Sequence, residues 1–126
     1  HTMASVFATL AFHWAGRSNR FPDQLTGTVT PHRIHKLYHA SADFTLPRRQ
    51  PITLAPVTTI IEIGNYLETK LEAFRAHTTQ QPLWSMFEDH AKKRGGRELF
   101  HLAAAVNPGP VVQESDLFAG VTENSA

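Results

Sequence analysis

The apolar positions at the start of the chain fall on one stripe: Met3, Val6, Phe7, Leu10, Ala11 and Trp14 follow the i, i+3, i+4, i+7 rule without a miss. Thr2 stands where an N-cap belongs and Gly16 lies just past the end, so the pattern predicts an amphipathic helix. Residues 17–31 are polar and broken by Pro22, Gly27 and Pro31, with Phe21 and Leu25 as the large anchors, which reads as a surface loop holding one helical turn. Residues 34–39 carry Ile34, Leu37 and Tyr38 and predict a short strand. Pro47, Pro51 and Pro56 remove ladder donors across residues 44–56, predicting an extended crossing loop. Residues 57–63 alternate and are rich in Ile and Thr, the strongest strand pattern in the chain.

Helical spacing then returns. Asn65 with Glu68 makes a capping-box start, and Leu67, Leu71 and Phe74 share a face of a helix expected to run to about residue 77. Pro82 opens a further helix with Leu83, Met86, Phe87 and Ala91 inward and Gly95-Gly96 as its stop. Residues 98–106 fit a strand or a helix equally by periodicity. After Asn107-Pro108 the chain reads as a tail with a late apolar anchor at Leu117-Phe118. No internal repeat and no low-complexity segment appears.

A length of 126 residues suits one domain, and a chain of this size buries roughly two-thirds of its unfolded surface. The first residue is His and a helical pattern follows almost at once, so the expectation is a piece of a longer polypeptide. Cysteine is absent, which removes disulfides and thiolate metal sites and leaves imidazole, carboxylate and hydroxyl as ligands. A net charge of +1, with basic residues scattered apart from Lys92-Lys93-Arg94, argues against a nucleic-acid partner. No apolar run approaches the ~20 residues of a membrane span. No signal-peptide pattern is visible either, so the expectation is a cytoplasmic protein without a membrane span. Whether it forms a homo-oligomer is left open.

The eight histidines are the chain's main chemical resource. His35 and His39 would lie on one face of a strand about 13 Å apart, too far to share a metal. His13, His90 and His101 are isolated imidazoles on predicted elements, His32 lies in the polar loop, and Asp89-His90 are sequence neighbours whose side chains diverge on a helix. No Ser-His-Asp arrangement, phosphate-cradling loop or cysteine nucleophile stands out. His1, directly before the first helix, is a candidate metal ligand, although on the sequence alone a terminal His reads first as a disordered residue or cloning remnant. His77, followed by Thr78-Thr79-Gln80 at a helix end, could donate to a hydroxyl or stabilise developing charge; it could equally cap the last carbonyls. Gln80 could bind substrate or satisfy a loop, and Lys70 reads as a solvated or ion-paired helix residue.

The stretch from Lys70 to Gln80, with Lys70, Ala73, His77, Thr79 and Gln80 at its key positions, resembles the C-terminal signature of the LmbE-like, or PIG-L, family of zinc-dependent de-N-acetylases. Similarity of pattern extends to the helix after His1, Lys36-Leu37-Tyr38, residues 57–80, Glu98-Leu99-Phe100 and Asp116-Leu117-Phe118. The resemblance implies an α/β chain, the C-terminal part of a Rossmann-like three-layer fold, with strands at the edge of a mixed sheet under about three helices. Residues 1–106 would belong to the deacetylase domain and residues 107–126 to an extended tail; residues 98–106 would be a strand. It implies a Zn2+ cofactor with His1 as a metal ligand, His77 as the catalytic candidate, Gln80 and Thr79 as substrate-binding residues, and an acetamido sugar or conjugate of the N-acetylglucosamine type as substrate. The family's His-Pro-Asp-Asp-type metal motif has no counterpart here, so this chain alone is expected to hydrolyse nothing. The alternative reading is a small, non-catalytic α/β binding or interaction module that uses residues 21–31 and 44–56 to hold a partner; a third has the imidazoles buffering metal without catalysis.

Overall fold

A computed structural model describes residues 2–41, 53–110 and 112–122. It is a mixed α/β structure with three helices, α1 (Thr2–Trp14), α2 (Leu67–Arg75) and α3 (Trp84–Lys93). Three strands, β1 (Lys36–Ala40), β2 (Thr59–Glu62) and β3 (Arg97–Ala105), form one sheet in the order β1-β3-β2. The ambiguous segment is therefore strand. Among the described residues no helix is long and apolar enough to cross a membrane. The chain divides into two compact units, one of residues 1–39, 102–111 and 120–126, the other of residues 40–101 and 112–119.

In the first unit the expected helix forms, but its apolar stripe is not covered at its leading end: Met3 is 58% exposed, Val6 44% and Phe7 61%. Further along, Leu10, Ala11 and Trp14 meet Phe21 and Leu25 of the following loop around a groove of about 600 Å³. The loop contains the single turn its sequence promised, Pro22–Gln24, entered through Phe21 in the left-handed region at φ 52°. The Phe21 ring lies 6.2 Å from that of Trp14, and the Arg20 guanidinium sits 4.8 Å over the same indole. Thr2, expected as the N-cap, is already helical. The Val106 N–H donates to the His35 carbonyl at 2.9 Å.

The second unit is built on the antiparallel β2–β3 ladder, in which Thr59 faces Phe100, Ile60 faces Leu99, Ile61 faces Glu98 and Glu62 faces Arg97. The tail adds to it. Thr59 and Glu114 form a parallel bridge, the Ile60 N–H donates to the Glu114 carbonyl and the Glu114 N–H to that of Thr58, both at 2.9 Å. Thr59 is fully buried, and its hydroxyl donates to the Glu114 carboxylate at 3.2 Å. The tail is thus held through Glu114, while Phe118 of the expected anchor is 74% exposed. The crossing loop expected at 44–56 falls largely on residues outside those described.

Two local expectations are corrected. Asn65 does not cap α2, because residues Gly64–Tyr66 form a 3-10 turn and Tyr66, without a side-chain cap, precedes the helix. Pro82 does not open α3; it lies within a second 3-10 segment, Thr78–Leu83, and α3 begins at Trp84. The reason for the first lies in the backbone. Gly96, at φ +75°, packs against Gly64 so closely that a Cβ on Gly96 would lie 2.6 Å from the Gly64 Cα. The Ile63 N–H donates to the Gly96 carbonyl across this contact. The chain after β2 must turn tightly here, and a 3-10 turn does so sooner than a capped α-helix.

Among the described residues of this unit, Leu71 on α2, 1% exposed, and Ala91 on α3, 3% exposed, are the buried apolar side chains. Their small number leaves the polar contact at Thr59 with a large share of the holding. Thr59→Val should therefore weaken the unit by about 1–2 kcal/mol, since it removes the donor from a part-buried carboxylate while keeping the volume. Amide exchange checks this: the Ile60 N–H should exchange roughly tenfold faster in the variant.

Candidate functional site

α2 runs outward from the Gly64–Gly96 contact, and its sequence divides it into a fastened side and a free end. Lys70, one residue before the buried Leu71, forms an ion pair with Glu98 on β3. The same ammonium lies 5.7 Å from the centroid of the Phe87 ring on α3. Both partners of the pair are about a quarter exposed, so water screens the attraction and the bond acts mainly to fix orientation. Lys70 is thereby an ion-paired helix residue, one of the two readings its sequence allowed.

One turn further on, Phe74 stacks face to face on Phe87, centroids 3.9 Å apart and planes 10° apart, and lies 6.1 Å from Trp84. Arg75, the last residue of α2, places its guanidinium 4.1 Å over the Trp84 ring. Phe74, Arg75, Gln81 and Trp84 line a cleft of about 400 Å³. The 3-10 segment between the two helices returns the chain so that residues nine apart in sequence meet. Sequence reading assigned Phe74 to the core and passed over Arg75 and Trp84, since no periodic rule links positions on either side of such a turn.

Ala76 closes α2, and His77 follows at φ −83° and ψ 81°, leading into the 3-10 segment. Its N–H donates to the Phe74 carbonyl and its carbonyl accepts from Gln80, so the backbone of this turn is satisfied without the imidazole. His77, Thr79 and Gln80 are all exposed. The Gln80 amide donates to the Thr79 hydroxyl at 3.3 Å. These three candidates are brought together on one solvent-facing turn beside the aromatic cleft.

His1, the expected metal ligand, lies outside the described residues. Among the described residues no three His, Asp or Glu side chains come together as a metal site would require. Two other imidazoles have local partners: His101 Nδ1 lies 2.9 Å from the Pro56 carbonyl, and His13 packs edge-on against Phe12 at 5.3 Å.

No family model matches the chain, and neither the curated proteins nor the solved structures contain a match to it.

On α3, Lys92 donates to the Glu88 carboxylate one turn back at 2.7 Å. This bond, joined by the charges of Lys92 and Arg75 and opposed by partial desolvation, holds Glu88 below its ordinary value of 4.5. Lys92 is raised above 10.5 by the same pair. A carboxylate whose folded pKa is depressed contributes stability above its unfolded value, and that contribution is lost as pH falls through the folded value. For Lys92 the contribution is present below 10.5 and is lost as pH rises past the folded value. A carbon-detected NMR titration should place Glu88 below 4.5, and Lys92→Ala should return it toward that value. An unmoved Glu88 would show that the pair does not form.

Proposed function

We propose that this chain is the C-terminal part of an LmbE-like, zinc-dependent de-N-acetylase with a Rossmann-like fold, acting on an acetamido sugar or conjugate. In this reading His77 with Thr79 and Gln80 forms the substrate side, and the metal is held in the complete protein with His1 as this chain's contribution. The observation that supports it is the division within one signature segment: Lys70 is consumed by Glu98, whereas His77, Thr79 and Gln80 are exposed on a turn whose backbone bonds to itself, with Gln80 and Thr79 hydrogen-bonded to each other. An exposed imidazole on a fixed turn can donate to a substrate hydroxyl or to a developing negative charge, and a neighbouring amide and hydroxyl can orient the sugar. No catalytic step is assigned to the chain by itself.

A second reading, the small non-catalytic interaction module, draws on a different observation. The apolar groove between α1 and the loop containing Phe21 and Leu25 gives residues 21–31 part of the role that reading required.

The test is amine release from an N-acetylglucosamine-type substrate by the complete zinc-loaded polypeptide. His77→Ala should lower kcat/KM by about 100-fold, the low end of what a positioned acid or donor supplies. Gln80→Ala should act mainly on KM, and His1→Ala should lower zinc content. Full turnover in His77→Ala would remove that residue from the site, and full turnover with retained metal in His1→Ala would remove His1 from the ligand set.

A further inference from the structure

The Arg75–Trp84 cleft carries chemistry that the deacetylase reading does not use. Arg75 is exposed, and among the described residues its guanidinium stands over the Trp84 ring, while its charge acts on Glu88 only through space. The Glu88 carboxylate, which feels the Arg75 charge, is hydrogen-bonded by Lys92. Stacking on Trp84 holds the planar fork in one orientation, so less side-chain freedom is lost when its donors engage a ligand. Gln81 adds an amide to the same cleft, and Phe74 and Trp84 supply its apolar wall. A volume of about 400 Å³ lies in the range of small-molecule pockets and admits a substituted ring.

From this we infer that the cleft of Phe74, Arg75, Gln81 and Trp84 is a binding site for a small aromatic or similarly flat apolar molecule bearing a carboxylate or phosphate. Arg75 binds the anion through its paired N–H groups with Gln81 assisting, and the apolar body packs against Phe74 and Trp84. A carboxylate and a phosphate present the same bidentate acceptor geometry to a guanidinium, so both belong to the ligand class. The inference is independent of any acetamide chemistry and of zinc.

The chain contains two tryptophans, Trp14 and Trp84, so a Trp14→Phe background leaves Trp84 as the sole indole reporter. In that background phenyl phosphate and benzoate should quench or shift Trp84 emission saturably, and neutral benzyl alcohol should bind about tenfold or more weakly, as the loss of a charge-assisted hydrogen-bond pair implies. Inorganic phosphate should bind more weakly than phenyl phosphate. Arg75→Gln should reduce the anions to the level of benzyl alcohol, Arg75→Lys should fall between, and Gln81→Leu should weaken the anions while leaving benzyl alcohol unchanged. Far-UV circular dichroism matching the parent shows that each variant retains its helices. Equal binding of the neutral and anionic probes, insensitivity to Arg75→Gln with the fold intact, or unsaturable quenching would overturn the assignment. Inorganic phosphate binding as tightly as phenyl phosphate would overturn the aromatic part of it.

Discussion

The contact on which the second unit depends is between two glycine backbones. Gly64 begins the turn out of β2 and Gly96 ends the turn into β3, and they approach so closely that no side chain fits between them. A β-carbon at Gly96 would sit 2.6 Å from the Gly64 Cα, well inside any carbon–carbon contact distance. The left-handed φ of +75° at Gly96 adds a conformational reason for glycine at the same place. Because α2 leaves from one side of this contact and α3 arrives at the other, the two helices are brought together at a fixed point. The Phe74–Phe87 stack and the Lys70–Glu98 pair then set how they diverge. With Leu71 and Ala91 as the buried apolar side chains among the described residues, the unit draws much of its order from such fixed geometry.

That arrangement explains which groups are available for function. Lys70 points its charge at β3 and is spent there. Arg75, five residues later on the same helix, stacks on an indole instead of an acid and keeps its hydrogen-bonding capacity. The difference comes from the partner that each side chain meets: a carboxylate on a strand beside the helix for one, an aromatic ring across a 3-10 turn for the other. His77, Thr79 and Gln80 follow on that turn, where the main chain satisfies itself.

Much of the architecture could be read from the chain. The stripe from Met3 to Trp14, the alternation around Ile60, and the Gly95-Gly96 stop all correspond to observed elements, because each is a local pattern with a local cause. The misses are non-local. Asn65 and Glu68 had the spacing of a capping box, but the backbone between β2 and α2 was committed to the Gly64–Gly96 approach, which no short-range rule reports. Glu114 read only as part of a tail, and it supplies the acceptor for buried Thr59. The candidate residues His77, Thr79 and Gln80 were legible as chemistry-bearing types at a helix end; Arg75 and Trp84 were not, since their meeting depends on the path of the intervening turn.

Gly95 and Gly96 separate the central claim from general backbone strain, because both have positive φ but a Cβ on Gly95 would meet nothing within 4 Å. The most direct measurement is amide exchange at Ile63, whose N–H crosses the Gly64–Gly96 contact, in Gly95→Ala and Gly96→Ala. Gly95→Ala should cost about 1 kcal/mol and speed that exchange roughly fivefold, the penalty of a left-handed alanine alone. The account predicts a further acceleration of about tenfold or more in Gly96→Ala, together with loss of the Phe74–Phe87 ring-current shifts, because the two backbones must separate. Equal exchange in the two variants, with the stacked rings undisturbed, would contradict it.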